Sequence, residues 1–271
     1  MKTIRILLSV ALVLVFSGFL NAQENDEAPK YITRTTMHWN MDKDDFKMSD
    51  WKAIEKEYLD KVVTKNEHIL RASFFMHQFT ADNTTLEYVQ TFASWDAIEK
   101  AAQRNSELAK EAWPDDEARA EFFAKRNDFY SNEHSDEIYA VMEGAKPLAE
   151  MPDKDLTLYL RISHFAFPED GTYEEWKELR DERLEKVVYK NEYVLGYYPN
   201  RHYYGGDRTE FIEGFYVEDV AALDKMLDRM PELAKEAWSD EQRKERWEKG
   251  SKYYTGVHED YIYTYISGLS K

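Results

Sequence analysis

The chain contains an internal repeat, and this repeat constrains its fold more than any other feature of the sequence. Residues 51–113 align without a gap with residues 176–238, at an offset of 125, and about 24 of the 63 aligned positions are identical. The segment Glu107–Trp113 recurs unchanged as Glu232–Trp238. Similarity at one fixed period indicates that one structural unit occurs twice, so we expect two copies of a unit of roughly 115 residues.

Within each copy, the hydrophobic pattern predicts the order strand, helix, strand, strand, helix, strand. In the second copy the predicted strands cover residues 157–167, 193–204, 210–217 and 261–266. Two capping boxes predict helix starts, because a hydroxyl and a carboxylate or amide three residues later satisfy the free amides of a first turn. They are Thr172-x-x-Glu175 and Ser239-x-x-Gln242.

A βαββαβ unit with an antiparallel sheet covers one sheet face with its two helices and leaves the other face bare. A second copy of the unit is the natural cover for that face. In element order and unit length the chain resembles the ferredoxin-like subunits of the dimeric α/β-barrel superfamily. The resemblance implies an α+β fold in which two tandem sheets face each other as a pseudo-dimeric α/β-barrel. That superfamily includes cofactor-free monooxygenases, haem-degrading enzymes, haem peroxidases and chlorite dismutases, and the fold alone does not choose among them.

The beginning of the sequence predicts export. Lys2 and Arg5 precede an apolar stretch, Ile6–Leu20, that is about 15 residues long, whereas a membrane span needs roughly 20. We therefore predict a signal peptide cleaved after Ala22 and a soluble protein in the periplasm or outside the cell. The predicted segments are the signal peptide (1–22), a flexible acidic N-terminus (23–30), the first repeat (31–145), a linker (146–155) and the second repeat (156–271).

Composition excludes several kinds of chemistry. The sequence has no cysteine, which rules out disulfides, thiolate catalysis and a lipid-modified N-terminal cysteine. The net charge of -17 would become about -19 without Lys2 and Arg5, and a surface of that charge repels phosphate backbones. We therefore expect no nucleic-acid partner and no membrane insertion. The expected partner is a small molecule, and the two repeats are expected to act as an intramolecular pseudo-dimer.

Six of the seven histidines fall at equivalent positions of the two repeats. Because the fourth strand should lie beside the first, His38 should approach His134, and His164 should approach His258. Neutral imidazole is a common ligand for zinc, copper and haem iron, so these four residues are candidate metal or haem ligands. The alternative is that they cap strand ends through hydrogen bonds, and the absence of HxH, HxxxH and HExxH spacing favours this alternative.

The second repeat carries the other candidate site, on a tyrosine-rich strand. We expect Arg161 and Tyr159 to point into the barrel, with Leu158, Leu160 and Ile162 toward the helices. A cavity of this kind could pair arginine with a carboxylate, while tyrosine or histidine moves a proton. The predicted catalytic residues are Arg161, Arg201, His202 and Tyr203, and the predicted ligand-binding residues are Tyr159, Tyr197 and Glu213. The alternative is a polar network that fills the barrel.

The two copies differ at this site. Thr35 stands in the first copy where Arg161 stands in the second, and Met76 stands for Arg201. A single site is therefore expected in the second repeat. Four tryptophans at helix ends recur in both copies and are interpreted as packing anchors. They are Trp51, Trp113, Trp176 and Trp238.

Three functions remain open from the sequence. The first is a ligand-binding or enzymatic barrel that acts on a small anionic or aromatic molecule without a nucleotide cofactor. The second is a non-catalytic envelope or interaction protein with a packed barrel. The third is a protein that binds haem or a divalent metal through the histidine pairs.

Overall fold

The computed structural model describes residues 28–271. The predicted signal peptide and most of the predicted N-terminal segment therefore lie outside the described residues. The strands are β1 (Tyr31–Trp39), β2 (Arg71–Phe79), β3 (Thr85–Phe92), β4 (Tyr130–Val141), β5 (Leu156–Phe165), β6 (Gly196–Tyr204), β7 (Glu210–Val217) and β8 (Tyr254–Tyr265). The α-helices are α1 (Met48–Lys61), α2 (Trp95–Ala112), α3 (Asp116–Asn127), α4 (Tyr173–Arg183), α5 (Val220–Ala237) and α6 (Asp240–Ser251).

The eight strands form one closed barrel in the order β1-β3-β2-β8-β5-β7-β6-β4, and β4 pairs again with β1. Every pairing is antiparallel. Within each repeat the fourth strand lies beside the first, as expected from the element order. The predicted fold class is confirmed, because the two four-stranded sheets join as a pseudo-dimeric α/β-barrel within one chain.

Two seams join the repeats. At one seam β2 pairs with β8, and at the other β4 pairs with β6. Backbone bonds of Lys271 extend the first seam, since its amide donates to the Ala72 carbonyl over 2.9 Å. An open sheet presents unpaired N–H and C=O groups at its edges. Here each of the four sheet edges finds its partner in the other repeat.

The helices pack against the outer face of the sheets. In each repeat the second helical segment is interrupted at a tryptophan, Trp113 or Trp238, and a new helix begins shortly after it. The predicted capping box of Ser239 and Gln242 is present, with both reciprocal bonds. The other is only half formed: the Thr172 hydroxyl accepts from the Glu175 amide over 3.1 Å, but the Glu175 carboxylate accepts from the Tyr253 hydroxyl instead.

Apolar side chains fill both faces of the barrel wall. In the second repeat, a cluster that includes Tyr159, Tyr197 and Phe215 packs under the helices, against Leu184 and Met226. Other clusters fill the barrel interior with aliphatic and tyrosine side chains. The interior residues of this kind include Phe75, Leu156, Leu158, Ile162, Ile212, Tyr263 and Tyr265. No helix among residues 28–271 is long and apolar enough to cross a bilayer.

Candidate ligand-binding site

A cavity lies in the second repeat, between the outer face of the sheet and the helices α4, α5 and α6. Its volume is about 760 Å³, which is within the usual range for small-molecule sites. The sheet contributes Arg161 and Glu213, and the helices contribute Arg183 and the indole rings of Trp176 and Trp238. We call this space the first cavity. Its wall combines arginines with aromatic rings.

A buried ion pair forms part of the cavity wall. The Arg183 guanidinium donates to the Glu213 carboxylate over 2.8 Å, and the Tyr197 hydroxyl donates to the same carboxylate oxygen over 2.7 Å. Burial alone would raise the pKa of Glu213, but the charge of Arg183 and these hydrogen bonds outweigh it and hold the pKa below its usual range. Glu213 is therefore a fixed anion that orients Arg183, and it is a weak proton acceptor.

Arg161 forms no close ion pair among the described residues, although its charge helps to lower the pKa of Glu213 and also acts on the Tyr159 hydroxyl. It pairs across the sheet with Glu213 and Asp260 in register, yet within residues 28–271 no carboxylate oxygen lies within 4.0 Å of its guanidinium. Asp260 is instead bonded to the Tyr159 hydroxyl, over 2.5 Å. Arg161 thus presents a positive charge to the first cavity.

Arginine also contributes to the helical side of the cavity. The Arg246 guanidinium lies over the Trp238 ring, 4.3 Å from its centroid, and donates to the Leu179 carbonyl over 2.7 Å. A guanidinium over an indole is attracted to the negative face of the ring. The exposed ring of Trp247 lies at the cavity as well. The Arg246 guanidinium is also paired with the Glu182 carboxylate, so a planar ligand entering here would meet π-systems beside an arginine whose charge is already balanced.

The equivalent layer of the first repeat is filled by its own side chains. Arg126 bonds to the buried carboxylate of Glu55 and lies 4.3 Å from the Tyr58 ring. Phe122 stacks on Trp113 with 4.0 Å between ring centroids. At the matching positions of the second repeat, Tyr58, Tyr88, Phe122 and Arg126 are replaced by Arg183, Glu213, Arg246 and Gly250. Two aromatic rings are replaced by arginines, Tyr88 is replaced by a glutamate, and Arg126 is replaced by glycine, so the second repeat leaves open the space that Arg126 fills in the first.

A second cavity, of about 530 Å³, lies at the start of α4. Arg201, His202, Arg208 and Glu210 line it, together with the ring of Trp176, which is also part of the first cavity's wall. Two of the predicted catalytic residues, Arg201 and His202, therefore lie at a different cavity from Arg161.

The predicted orientation of β5 was wrong. Arg161 and Tyr159 point toward the helices, and Leu158, Leu160 and Ile162 point into the barrel. Both faces of β5 are buried in a closed barrel, so its alternating pattern distinguishes two faces without indicating which is the interior. The predicted residues Tyr197 and Glu213 lie on the helix side with Arg161.

The interior of the barrel contains a polar network that comes mainly from the first repeat. Arg34 forms two hydrogen bonds with Glu87, of 2.7 and 3.0 Å, and Tyr263 donates to the same carboxylate over 3.0 Å. The second repeat has Leu160 and Ile212 at the positions of Arg34 and Glu87. This ion pair was not among the predicted site residues, although two charged residues in a strand pattern with no charged counterpart in the other copy could have indicated it.

Tyr203 lies away from both cavities. Its ring packs on the outer surface against Tyr31 and Trp95, with centroids 4.9 and 5.2 Å apart. The structure therefore distributes the four predicted catalytic residues over three places: the first cavity, the second cavity and this aromatic cluster.

In register, His134 pairs with Met37 and His258 pairs with Ser163, so the histidines of each pair lie on neighbouring strands. Their hydrogen bonds go to hairpin and strand residues. The Nδ1 atoms of His38 and His164 lie 3.0 and 3.1 Å from the hydroxyls of Thr84 and Thr209. His134 lies near Asp136, and the Nε2 atom of His258 lies 3.1 Å from Asp260. Among residues 28–271, no group of three or more His, Asp or Glu side chains is arranged to hold a metal ion.

His38 and His164 sit at matching irregularities, because the register between the first and fourth strands shifts at each of them. A β-bulge of this kind bends a strand end and re-aims its side chain. The recurring residues of the β2–β3 and β6–β7 hairpins, Asp82 and Asp207, lie 3.3 and 3.1 Å from these imidazoles. Both histidines thus fasten a hairpin to a bulged strand end.

Solved structures of three proteins show the same fold. A candidate monooxygenase from Fusobacterium nucleatum is 14% identical, with 88% of this chain and 93% of that chain covered, at a TM-score of 0.55. A candidate monooxygenase from Lactobacillus acidophilus is 8% identical, with coverage of 88% and 93% and a TM-score of 0.53. Chlorite dismutase from Candidatus Nitrospira defluvii, in complex with imidazole, is 12% identical, with coverage of 90% and 93% and a TM-score of 0.52.

No family model matches the sequence, and no curated protein matches it. The structural likeness covers nearly all of the described residues at low identity, so it establishes the fold and leaves the chemistry to the residues of this chain.

Proposed function

We propose that this protein, which has the dimeric α/β-barrel fold, binds a small anionic aromatic molecule in the first cavity. The observation that carries the proposal is Arg161, a guanidinium with no carboxylate within 4.0 Å among residues 28–271, which faces a cavity lined by indole rings. A carboxylate or similar group would pair with Arg161, and the ring of the ligand would stack among the aromatic side chains. The ligand site thus lies between sheet and helices and not in the barrel interior.

The balance of forces favours an anion here despite the acidic surface. A guanidinium matches a carboxylate with two parallel hydrogen bonds, and such charge-assisted bonds are about twice as strong as neutral ones. Leaving the charge of Arg161 unpaired in a partly buried site is costly, so a ligand anion recovers that loss. Glu213 does not compete for this role, because Arg183 and Tyr197 already occupy it.

Haem is a second candidate for the first cavity, because His258 lies in its wall. An imidazole could bind the iron and the arginines could bind the propionates. The Nε2 atom of His258 is 3.1 Å from Asp260, which would leave Nδ1 as the free ligand atom. Haem would supply redox chemistry there. A protein that binds neither ligand would instead fit the non-catalytic envelope or interaction role that the sequence also allows.

The test is a binding titration on the full-length protein with the fluorescent aromatic anion 8-anilinonaphthalene-1-sulfonate, and in parallel with haemin followed by absorbance. We expect saturable, one-to-one binding of the aromatic anion, weakened about tenfold or more by Arg161→Gln. Arg71→Gln is the matched control, since Arg71 also lacks a carboxylate within 4.0 Å among residues 28–271 but lies on β2. Equal affinity in both variants would contradict the proposal, and a sharp Soret band would favour haem.

Export remains part of the proposed function. The basic residues and apolar stretch at the start of the sequence support it, and the absence of cysteine is compatible with any compartment. N-terminal sequencing of the protein from the periplasm or medium of its own cells should begin at Gln23. A protein that retains Met1 in the soluble cell fraction would disprove the export prediction.

A further inference from the structure

Two exposed arginines at the second cavity, Arg201 and Arg208, form no close ion pair among the described residues. Within residues 28–271, no carboxylate oxygen lies within 4.0 Å of the Arg201 or Arg208 guanidinium. The Nε2 atom of His202 is buried and has no hydrogen-bond partner among the described residues. A buried polar atom without a partner is uncommon in a native protein and calls for an explanation such as an absent ligand.

The surroundings of these groups suit an organic anion. Gly171, Thr172 and Tyr173, at the start of α4, line the cavity, and a helix start attracts negative charge. Phe165 and Phe167 line it as well and offer apolar surface. One end of the cavity therefore matches an oxyanion, and the other matches a hydrocarbon body.

The hydrogen bonds around Tyr139, beside the second cavity, require one neighbouring carboxyl group to be protonated. The Tyr139 hydroxyl lies 2.5 Å from a Glu137 oxygen and 2.7 Å from a Glu210 oxygen. A phenol has a single proton and can donate to one of them only. The other contact is favourable only if that carboxyl is itself protonated and donates to the phenol oxygen.

Glu210 is the better place for this proton. Burial raises the pKa of Glu210, the hydrogen bond from Tyr139 opposes the rise, and the charge of Glu137 adds to it. The Arg34 guanidinium lies 4.0 Å from Glu137, and its charge opposes the rise in the pKa of Glu210. The other titratable groups around Glu210 are Asp207, Tyr261, His164, His202, Arg201 and Arg208.

We propose that the second cavity binds a small oxyanion carried on an apolar body, a carboxylate or a phosphate monoester, with Arg201 and Arg208 as its counter-charges, His202 as a hydrogen-bond donor and a neutral Glu210 carboxyl beside it. The neutral carboxyl removes the repulsion that an ionised Glu210 would exert on the ligand. The proton of Glu210 belongs to a hydrogen-bonded chain that runs through the Tyr139 hydroxyl to Glu137, which lies at the barrel interior. The site is separate from the first cavity, although both use Trp176 as a wall.

The test uses benzoate, phenyl phosphate and inorganic phosphate as probes, in calorimetric titrations of the Gly250→Arg variant, in which the first cavity is filled. We expect benzoate or phenyl phosphate to bind, and the double variant Arg201→Gln/Arg208→Gln to weaken binding about tenfold or more. Binding of inorganic phosphate alone, with no gain from the phenyl group, would overturn the assignment of an apolar body. Unchanged affinity in the double variant would overturn the site itself.

A second measurement uses the unmodified chain and does not depend on that variant. The imidazole signals of His202 should shift on addition of benzoate, whereas those of His68, which lies outside both cavities, should not. Benzoate stays ionised above pH 6, as ordinary carboxylates do. Its affinity should therefore fall as rising pH removes the shared proton, and Glu210→Gln should abolish that pH dependence. A pH dependence of affinity that is the same in the native chain and in Glu210→Gln would disprove the role of Glu210.

If the aromatic anion of the first cavity fails to bind while benzoate still shifts His202, the second site stands without the first. If Arg161→Gln weakens binding of the aromatic anion and benzoate leaves the His202 signals unchanged, the first site is supported and the second is disproved.

Discussion

Arg126 and Gly250 occupy equivalent positions in the last turns of α3 and α6, and they have opposite effects on the space beneath their helices. Arg126 extends under α3, bonds to Glu55 and lies against the Tyr58 ring. Gly250 leaves the matching space open, and the first cavity occupies it. The repeat thus contains both a filled and an unfilled version of one site.

Filling the open version should abolish binding without unfolding the protein. A Cβ atom added at Gly250 would meet nothing within 4 Å, so Gly250→Arg has room for its side chain. We expect the loss of saturable binding of the aromatic anion, and a slightly higher thermal midpoint, because arginine favours a helix over glycine by about 0.5–1 kcal/mol. Ala102→Arg, on the exposed face of α2, is the control for added charge. Retained binding in Gly250→Arg would place the ligand elsewhere.

The Arg183–Glu213 pair should contribute to stability in a pH-dependent way. Glu213→Gln removes the anion from a guanidinium whose side chain is 39% exposed, so we expect a cost of about 1–3 kcal/mol at pH 7, less than for a fully buried pair. Because the pKa of Glu213 is lowered by folding, its contribution is complete above the ordinary glutamate pKa and disappears as pH falls through the lowered value.

Urea denaturation of the native chain and of Glu213→Gln between pH 3 and pH 7 measures this contribution. The difference in unfolding free energy should shrink at the acidic end of the range. The exposed Glu245 provides a control, and Glu245→Gln should change little. A difference that grows on acidification would contradict the assignment of Glu213 as the ionised partner.

The repeated Lys-Asn-Glu segment is explained by structure alone. Asn66 and Asn191 are fully buried, and their amide groups donate to the carbonyls of Ala101 and Met226 over 2.9 Å in each case. Each substitution to alanine should cost about 2–4 kcal/mol, since it leaves buried backbone groups without partners. Thermal unfolding of Asn66→Ala and Asn191→Ala, beside the exposed Asn83→Ala, tests this. Near-native stability of either buried variant would disprove it.

Substitutions of the equivalent tryptophans Trp51 and Trp176 should distinguish a ring that stabilises the fold from a ring that contacts the ligand. The Trp51 indole is fully buried and donates to the Tyr130 hydroxyl over 2.7 Å, whereas Trp176 forms a wall of both cavities. We expect Trp51→Phe to lower stability by about 2–4 kcal/mol and leave ligand affinity unchanged. Trp176→Phe should weaken binding of the aromatic anion several-fold. Equal effects on affinity would show that neither ring contacts the ligand.

The sequence was sufficient to predict the barrel because the duplication supplied a partner for every sheet edge. It was insufficient for the orientation of β5, where Tyr159 and Leu160 are both apolar enough to be buried. The sequence pattern also predicted a last strand that begins too late, at Tyr261. The first residues of β8, Tyr254 to Asp260, include exposed polar positions and Gly256, so they lack an apolar alternation. For β5, burial of both faces removes the difference in polarity from which the orientation of a strand is predicted.

The candidate site could be predicted only in part. Arg161, Tyr197 and Glu213 were identified from their strand positions, and they do meet in space. Arg183, Arg246 and Gly250 were missed, because they lie on helices whose charged faces look like solvated surface. Comparing the two copies position by position would have found them, since all three replace side chains that fill the first repeat.

The two seams also have a consequence for how the chain is made. While the ribosome is still producing the second half, β2 and β4 of the first half have free edges that no other part of the nascent chain can cover. These edges could pair with those of a second nascent chain before their own partners, β8 and β6, are synthesised. A chaperone that holds the early half apart would therefore favour the monomer over a strand-exchanged assembly.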